Sequence, residues 1–267
     1  MATKPKETKA QARDRLREER ARQAAADARR RRLVTVGLVV GVFVVVAAVV
    51  IGLVATRGSK EQTNAAVPQG VTDTKGYPFG TVSTPVLDIW EDFQCPNCGG
   101  FEAANRTKIE NLISTGKAKV VYHTWNFLDA ENTNNPASTQ ESSTRAAIAA
   151  GCAWDQGKFL QMHDQIFRNQ PSREGDGWTD QQLEQFAKNA GVPDTQTFDQ
   201  CLSSRKYAGF VSQVNAQADK QQITGTPTFL VNGQQVNVSG AADWGQVGDL
   251  VVQAVEKAGA TASPAAS

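Results

Sequence analysis

Val86-Leu87-Asp88-Ile89-Trp90-Glu91-Asp92-Phe93-Gln94-Cys95-Pro96-Asn97-Cys98, followed by the segment Phe101 to Ile113, decides the fold of this chain. The apolar run predicts a strand over about Pro85 to Phe93, and the segment after it predicts a helix from about Cys95 to Ser114. Two cysteines are therefore delivered to the first turn of a helix. There the unpaired N–H groups and the positive end of the helix dipole favour a thiolate on the first sulfur. The second sulfur, three residues on, is placed to attack any mixed disulfide that the first one forms. Half of a zinc site is the competing reading of Cys95 and Cys98. It lacks partners, because there is no second C-x-x-C and the only histidines are His123, in a strand pattern, and His163, in an apolar helical setting. A plain structural disulfide is the other reading, and the strand-to-helix position argues against it.

Working outward, Lys119 to Phe127 predicts a second strand. With the first strand and its helix it makes a βαβ unit with parallel strands. Helical patterns then occupy about ninety residues: Ser143 to Trp154, Gly157 to Asn169, a helix capped by Thr179 and Asp180 and closed by Gly191, and one or two more between Asp194 and Gln221. Thr226 to Val231 predicts a strand, Asn232-Gly233 a tight turn, and Gln234 to Val238 its antiparallel partner. A final helix covers about Asp243 to Ala258. Tyr77 to Thr81 has the composition of a short edge strand at the start. Glycines 99 and 100 predict a bend in the dithiol helix. The pattern is βαβ, a helical insertion over about 130–222, then ββα: an α/β, thioredoxin-like fold. In such a fold Thr226-Pro227, just before a strand, is expected to carry a cis peptide bond and to lie against the dithiol.

Three stretches carry a family resemblance: Glu91-Asp92-Phe93-Gln94-Cys95-Pro96-Asn97-Cys98 with Phe101-Glu102, Met162-His163-Asp164 in the insertion, and Gly225-Thr226-Pro227-Thr228-Phe229. Together they resemble the DsbA family of extracytoplasmic thiol–disulfide oxidoreductases, in the membrane-anchored form of actinobacteria. The resemblance covers roughly Tyr77 to Ala258. It implies that Cys95 is an exposed nucleophile, Cys98 a buried resolving thiol, and Thr226-Pro227 the substrate-facing loop. It also implies a membrane partner that re-oxidises the dithiol. Strongly oxidising members carry a histidine at the position of Asn97, so the Cys95 pKa is expected to be lowered, but by less than in those members. Pro96, Asn97 and Asp92 are the candidates for tuning it. Asp92 reads either as a partly buried proton relay to Cys98 or as a solvent-facing turn acid.

Cys152 and Cys201 fall on separate predicted helices of the insertion. A disulfide between them, closing a loop of about fifty residues, is expected to staple the subdomain at about 4 kcal/mol in the chain-entropy model. A second redox pair is the alternative. Four cysteines suit an oxidising compartment.

Charge and hydropathy place the chain. Residues 1–32 hold 12 Lys+Arg against 5 Asp+Glu, which leaves 16 (28 − 12) against 22 (27 − 5) for the rest. The basic head abuts Leu33 to Ala55, which is free of charge and, at 1.5 Å per residue, roughly 34 Å long as a helix. We expect a basic cytoplasmic tail over 1–32, a retained transmembrane helix over 33–55, a linker over 56–76, the catalytic domain over 77–258 and a disordered tail over 259–267. The positive-inside rule puts the N-terminus in the cytoplasm and the domain outside. Nucleic acid is not an expected partner. The expected partners are exported cysteine-containing proteins, acted on by a monomer that needs no cofactor or metal. The functional expectation is a disulfide-introducing enzyme. Rival readings are a reductase or isomerase on the same dithiol, and a non-catalytic exported binding domain.

Overall fold

The strand that leads into the dithiol lies at the centre of its sheet. The computed structural model of the chain describes residues 65–131 and 141–262. Five strands, β1 (Tyr77–Phe79), β2 (Val86–Glu91), β3 (Lys119–Thr124), β4 (Thr228–Val231) and β5 (Gln234–Gln235), form one sheet in the order β1-β3-β2-β4-β5. Strands β2 and β3 are parallel, with Ile89 opposite Tyr122, and the other pairings are antiparallel, with Ile89 also opposite Phe229. Leu87, Ile89 and Trp90 are fully buried, as befits a central strand covered on both faces. The crossover from β2 to β3 is α1 (Pro96–Ser114). Between β3 and β4 come α2 (Phe127–Glu131), α3 (Ser142–Trp154), α4 (Phe159–Arg168), α5 (Asp180–Asn189), α6 (Thr195–Ser203) and α7 (Ala208–Lys220), and α8 (Trp244–Ala262) ends the described chain.

Local chemistry explains most of these boundaries. Thr179 and Gln182 form a reciprocal capping box at the start of α5, and Gly191, at φ +71°, follows its end. Asn232 and Gly233 both have positive φ, 49° and 78°, as the two-residue turn between β4 and β5 requires. Helix α3 is a run of small residues because it is hemmed in: a Cβ on Gly151 would lie 2.9 Å from the Tyr77 hydroxyl and 3.0 Å from the Tyr207 ring.

Several boundaries differ from the sequence reading. Strand β3 stops at Thr124 rather than Phe127: Trp125 N–H makes the last ladder bond, to Glu91 O at 2.7 Å, where β2 also ends, and Phe127 opens α2. Strand β5 is two residues long, not five. After Val236 the Asn237 side chain accepts from Ser239 N at 2.9 Å, and this turn leads the chain off the sheet edge. Helix α8 runs on through residues 259–262, which were expected to be loose. From residue 65 the expected linker is part of the fold: Trp154 Nε1 donates to Gln69 O at 2.8 Å and Pro68 is buried. Helix α1 runs unbroken through Gly99 and Gly100. These glycines serve close approach instead, since a Cβ on Gly100 would lie 2.5 Å from the Trp244 indole nitrogen of α8. The expected tail (1–32), membrane span (33–55) and first part of the linker lie outside the described residues. Among the described residues, no helix is long and apolar enough to cross a membrane.

Candidate active site

Strand β2 ends at Glu91, and Asp92-Phe93-Gln94 carries the chain into Cys95, the N-cap of α1. Cys95 N donates to Asp92 O at 3.0 Å, which closes the turn, and Pro96 takes the first helical position, where its missing N–H costs nothing. Both sulfurs are free thiols. The Cys95 thiol donates to the carbonyl of Thr226 at 3.4 Å, across a cis Thr226–Pro227 peptide bond. Strand β4 therefore brings a main-chain carbonyl from 131 residues away in sequence to the mouth of α1.

Exposure corrects one expectation. Cys95 is not openly exposed: it is 6 % accessible, under the Thr226 main chain, while Cys98 is wholly buried. The two sulfurs are oppositely tuned. The Cys95 thiol falls from 9.0 to about 6, first because Cys98 donates a hydrogen bond to its sulfur, against the cost of burial, with help from the Thr226 side chain and the N–H groups of Cys98 and Asn97. Cys98 is pushed well above the ordinary thiol value, mainly by burial. Asn97 thus acts on Cys95 through its backbone N–H at the helix end. A folded-state value below the unfolded one stabilises the reduced protein fully above pH 9.0, and that contribution is lost as pH falls through about 6. Thiolate absorbance at 240 nm should titrate with a midpoint near pH 6 and be absent at neutral pH in Cys95→Ser. Asn97→His should move the midpoint lower by roughly a unit, through an adjacent imidazolium. An unchanged midpoint would show that residue 97 does not sense the sulfur.

Asp92 is fully buried, which removes the solvent-facing reading. Its carboxylate accepts from Gln94 N at 2.8 Å, Leu128 N at 2.8 Å and Ser143 Oγ at 2.6 Å. Burial raises its pKa to about 7 against those hydrogen bonds. It ties the dithiol turn to α2 and α3. The acid that acts electrostatically on both thiols is its neighbour Glu91, buried and raised by that burial to about 8. Glu91 was legible only as part of a motif: alternation puts it on the same face of β2 as the buried Leu87 and Ile89, but not against which partners.

Gln170, just past α4, is a second residue that the sequence did not single out. Its amide donates to Phe93 O at 2.7 Å and Cys95 O at 3.0 Å, and so clamps the dithiol turn from the insertion. A Cβ on Gly99 would collide with that amide. Gly99→Ala should therefore destabilise the reduced protein by about 1–3 kcal/mol in urea unfolding, the usual range for overpacking. An unchanged midpoint would mean that Gln170 is not holding the turn.

The histidines are engaged with carboxylates: His123 Nε2 lies 2.9 Å from Asp88 Oδ1, and His163 Nε2 lies 2.9 Å from Glu91 Oε2. Cys152 and Cys201 form a disulfide between α3 and α6.

A site of this construction has relatives. A family model described as Thioredoxin matches residues 73–249. This chain belongs to that family. Disulfide bond formation protein D of Bacillus subtilis is 27 % identical over 196 residues, 72 % of this chain and 82 % of that protein. The reduced form of a disulfide bond oxidoreductase (DsbG) from Mycobacterium tuberculosis superposes with a TM-score of 0.53 at 27 % identity, covering 77 % of this chain and 100 % of that one. Both of these relatives carry names of disulfide chemistry. The Na(+)/H(+) antiporter NhaA 3 of Salinispora tropica is 32 % identical over 166 residues, 62 % of this chain. The chain spans only 23 % of the length of that protein.

Proposed function

We propose that this protein is a membrane-anchored, extracytoplasmic enzyme that introduces disulfides into exported proteins through Cys95-Pro96-Asn97-Cys98. The observation that carries the reading is the opposed tuning of two sulfurs in one helical turn, with the low-pKa sulfur under the Thr226 carbonyl. The apolar segment 33–55 behind a basic head supports the anchor and its orientation. The Cys152–Cys201 disulfide suits an oxidising compartment.

In the proposed cycle a client thiolate attacks Cys95 Sγ of the oxidised enzyme. The Cys95–Cys98 bond breaks, and Cys98 leaves and takes up a proton. A second client thiolate attacks the client sulfur of the mixed disulfide, and Cys95 departs as the stabilised thiolate. The client loses two electrons and the enzyme gains them as a dithiol. Thr226-Pro227 offers a main chain along which the extended client docks. A membrane partner accepts the electrons to restore the disulfide. The enzyme acts as a monomer.

The measurement that tests direction is the reduction potential against glutathione. One pKa unit on the nucleophilic thiol corresponds to roughly 30 mV. A thiol near 6 lies between thioredoxin at about 7 and DsbA at about 3.5, which brackets the expected potential at roughly −240 to −195 mV. A value at or below about −270 mV, that of thioredoxin, would make the protein a reductase. A dithiol that mild reduction does not expose to alkylation would make it a binding module.

A further inference from the structure

Three side chains able to ligate a cation converge from three separate elements. Glu91 ends β2, Glu102 lies on α1 one turn beyond Cys98, and His163 lies on α4. One ligand atom from each lies within 4.8 Å of those of the other two. His163 Nε2 is 2.9 Å from Glu91 Oε2. The three residues are buried, Glu91 and His163 at 3 % and Glu102 at 5 % accessible.

Their charges are poorly matched by the protein itself. The two carboxyl groups face each other within hydrogen-bonding range, and Oε1 of each meets no N–H or hydroxyl donor. Among the described residues, His163 is the one basic side chain paired with either acid. Arg106, which shares a cleft with Glu102, is bound to Asp164 instead, at 2.7 Å. Buried carboxylates without a counter-charge are heavily penalised. A proton shared between the two acids removes one charge and leaves both Oε1 atoms unused. A divalent cation matches both charges and takes carboxylate oxygen and ring nitrogen together.

The donor set narrows the ion. One imidazole and two carboxylates suit a first-row ion of the Zn²⁺ class, whereas Mg²⁺ and Ca²⁺ favour oxygen alone. Tetrahedral zinc with ligands at 2.0–2.2 Å sets its ligand atoms roughly 3.3–3.6 Å apart. A small side-chain rotation brings the His163–Glu91 contact into that range. Three protein ligands leave a fourth position for water. Access is provided by the cleft between α1 and α4, about 220 Å³ in volume, which Glu102 lines together with the exposed Ala103.

We propose that Glu91, Glu102 and His163 form a buried binding site for a Zn²⁺-class divalent cation, entered through the α1/α4 cleft and completed by water. The ion ties the end of β2, the dithiol helix and the insertion together, and so braces the frame that presents Cys95. Its role is structural. No step of thiol–disulfide exchange passes through it, and it holds whichever direction the enzyme runs.

The test uses the full-length protein, stripped with chelator and with its dithiol oxidised so that Cys95 and Cys98 cannot ligate. It should bind one Zn²⁺ per chain. At free Zn²⁺ a hundredfold above Kd the thermal midpoint should rise by about 5–11 °C. Co²⁺ should give the visible d–d bands of a four- or five-coordinate ion without a thiolate charge-transfer band. Glu102→Gln keeps the shape of the side chain and can still hydrogen-bond Glu91. Its metal-free midpoint should match the wild type, and both metal responses should vanish. His163→Gln should lose them too, and if that variant does not fold, Glu102→Gln decides alone. A wild type that takes up neither ion would overturn the proposal and leave a shared proton between the acids. Metal responses of wild-type size in Glu102→Gln would also overturn it, by placing the ion elsewhere on the chain.

Discussion

Replacing Cys95 with serine is expected to reduce client oxidation to the uncatalysed rate, while replacing Cys98 with alanine is expected to leave a protein that forms mixed disulfides and holds them. The asymmetry follows from the two environments. Cys95 caps α1, receives hydrogen bonds from Cys98 and from helix N–H groups, and ionises near pH 6, so at neutral pH it is mostly thiolate. A serine hydroxyl neither ionises in that range nor forms a disulfide. Cys98 is buried, and its thiol lies well above the ordinary value, so it does not initiate exchange. Its part is to close the disulfide with Cys95, which is the step that Cys98→Ala removes. That variant also loses the hydrogen bond that contributes most to lowering the Cys95 pKa, so its thiolate titration should shift upward from about 6. Client proteins captured by Cys98→Ala and released by reductant, with none captured by Cys95→Ser, would identify Cys95 as the nucleophile. The reverse pattern would invert the assignment.

Removing the Cys152–Cys201 disulfide by a double change to alanine is expected to cost about 4 kcal/mol, from the chain-entropy model for a loop of this span (sequence separation 49). For a domain of this size that corresponds to a drop of about 8–16 °C in unfolding midpoint. Both cysteines are buried in the core, Cys152 in α3 and Cys201 in α6, so the cross-link joins two layers of the insertion. Gln170 clamps the dithiol turn from that same subdomain, so loosening the insertion should also slow exchange without moving the Cys95 titration by more than a few tenths of a unit. A stability loss below about 1 kcal/mol would show that packing, not the cross-link, holds these helices. A variant with no exchange at all would instead assign the pair to the redox chemistry.

Much of the domain was legible because its signals are local. The order β2, α1, β3, then β4 and β5, follows from apolar runs, a helix-opening Cys-Pro, and an Asn-Gly turn whose two positive φ values only such residues adopt readily. The boundaries that missed are those set by a partner from elsewhere. Strand β3 ends with the last ladder bond that β2 offers, from Trp125 N–H to Glu91 O, whereas β5 is the exception and ends at the local Asn237–Ser239 turn. Gly99 and Gly100 read as helix weakeners, whereas their bare Cα atoms make room for Gln170 and Trp244, which are 71 and 144 residues further along the chain.

The sequence by itself determined the chemistry available: two sulfurs three residues apart at a helix start, and a Thr-Pro before a strand. It also determined the strand–helix order that makes them neighbours, because spacing, capping and periodicity are properties of adjacent residues. Only the tertiary structure decided what each acid beside the dithiol faces and how far each thiol is shifted. Asp92 and Glu91 are consecutive and equally acidic on paper. One is spent on hydrogen bonds to Ser143 and Leu128, and the other faces Glu102, His163 and the sulfurs. Desolvation and hydrogen bonding are set by what folds over a residue from distant parts of the chain, and no local pattern encodes that.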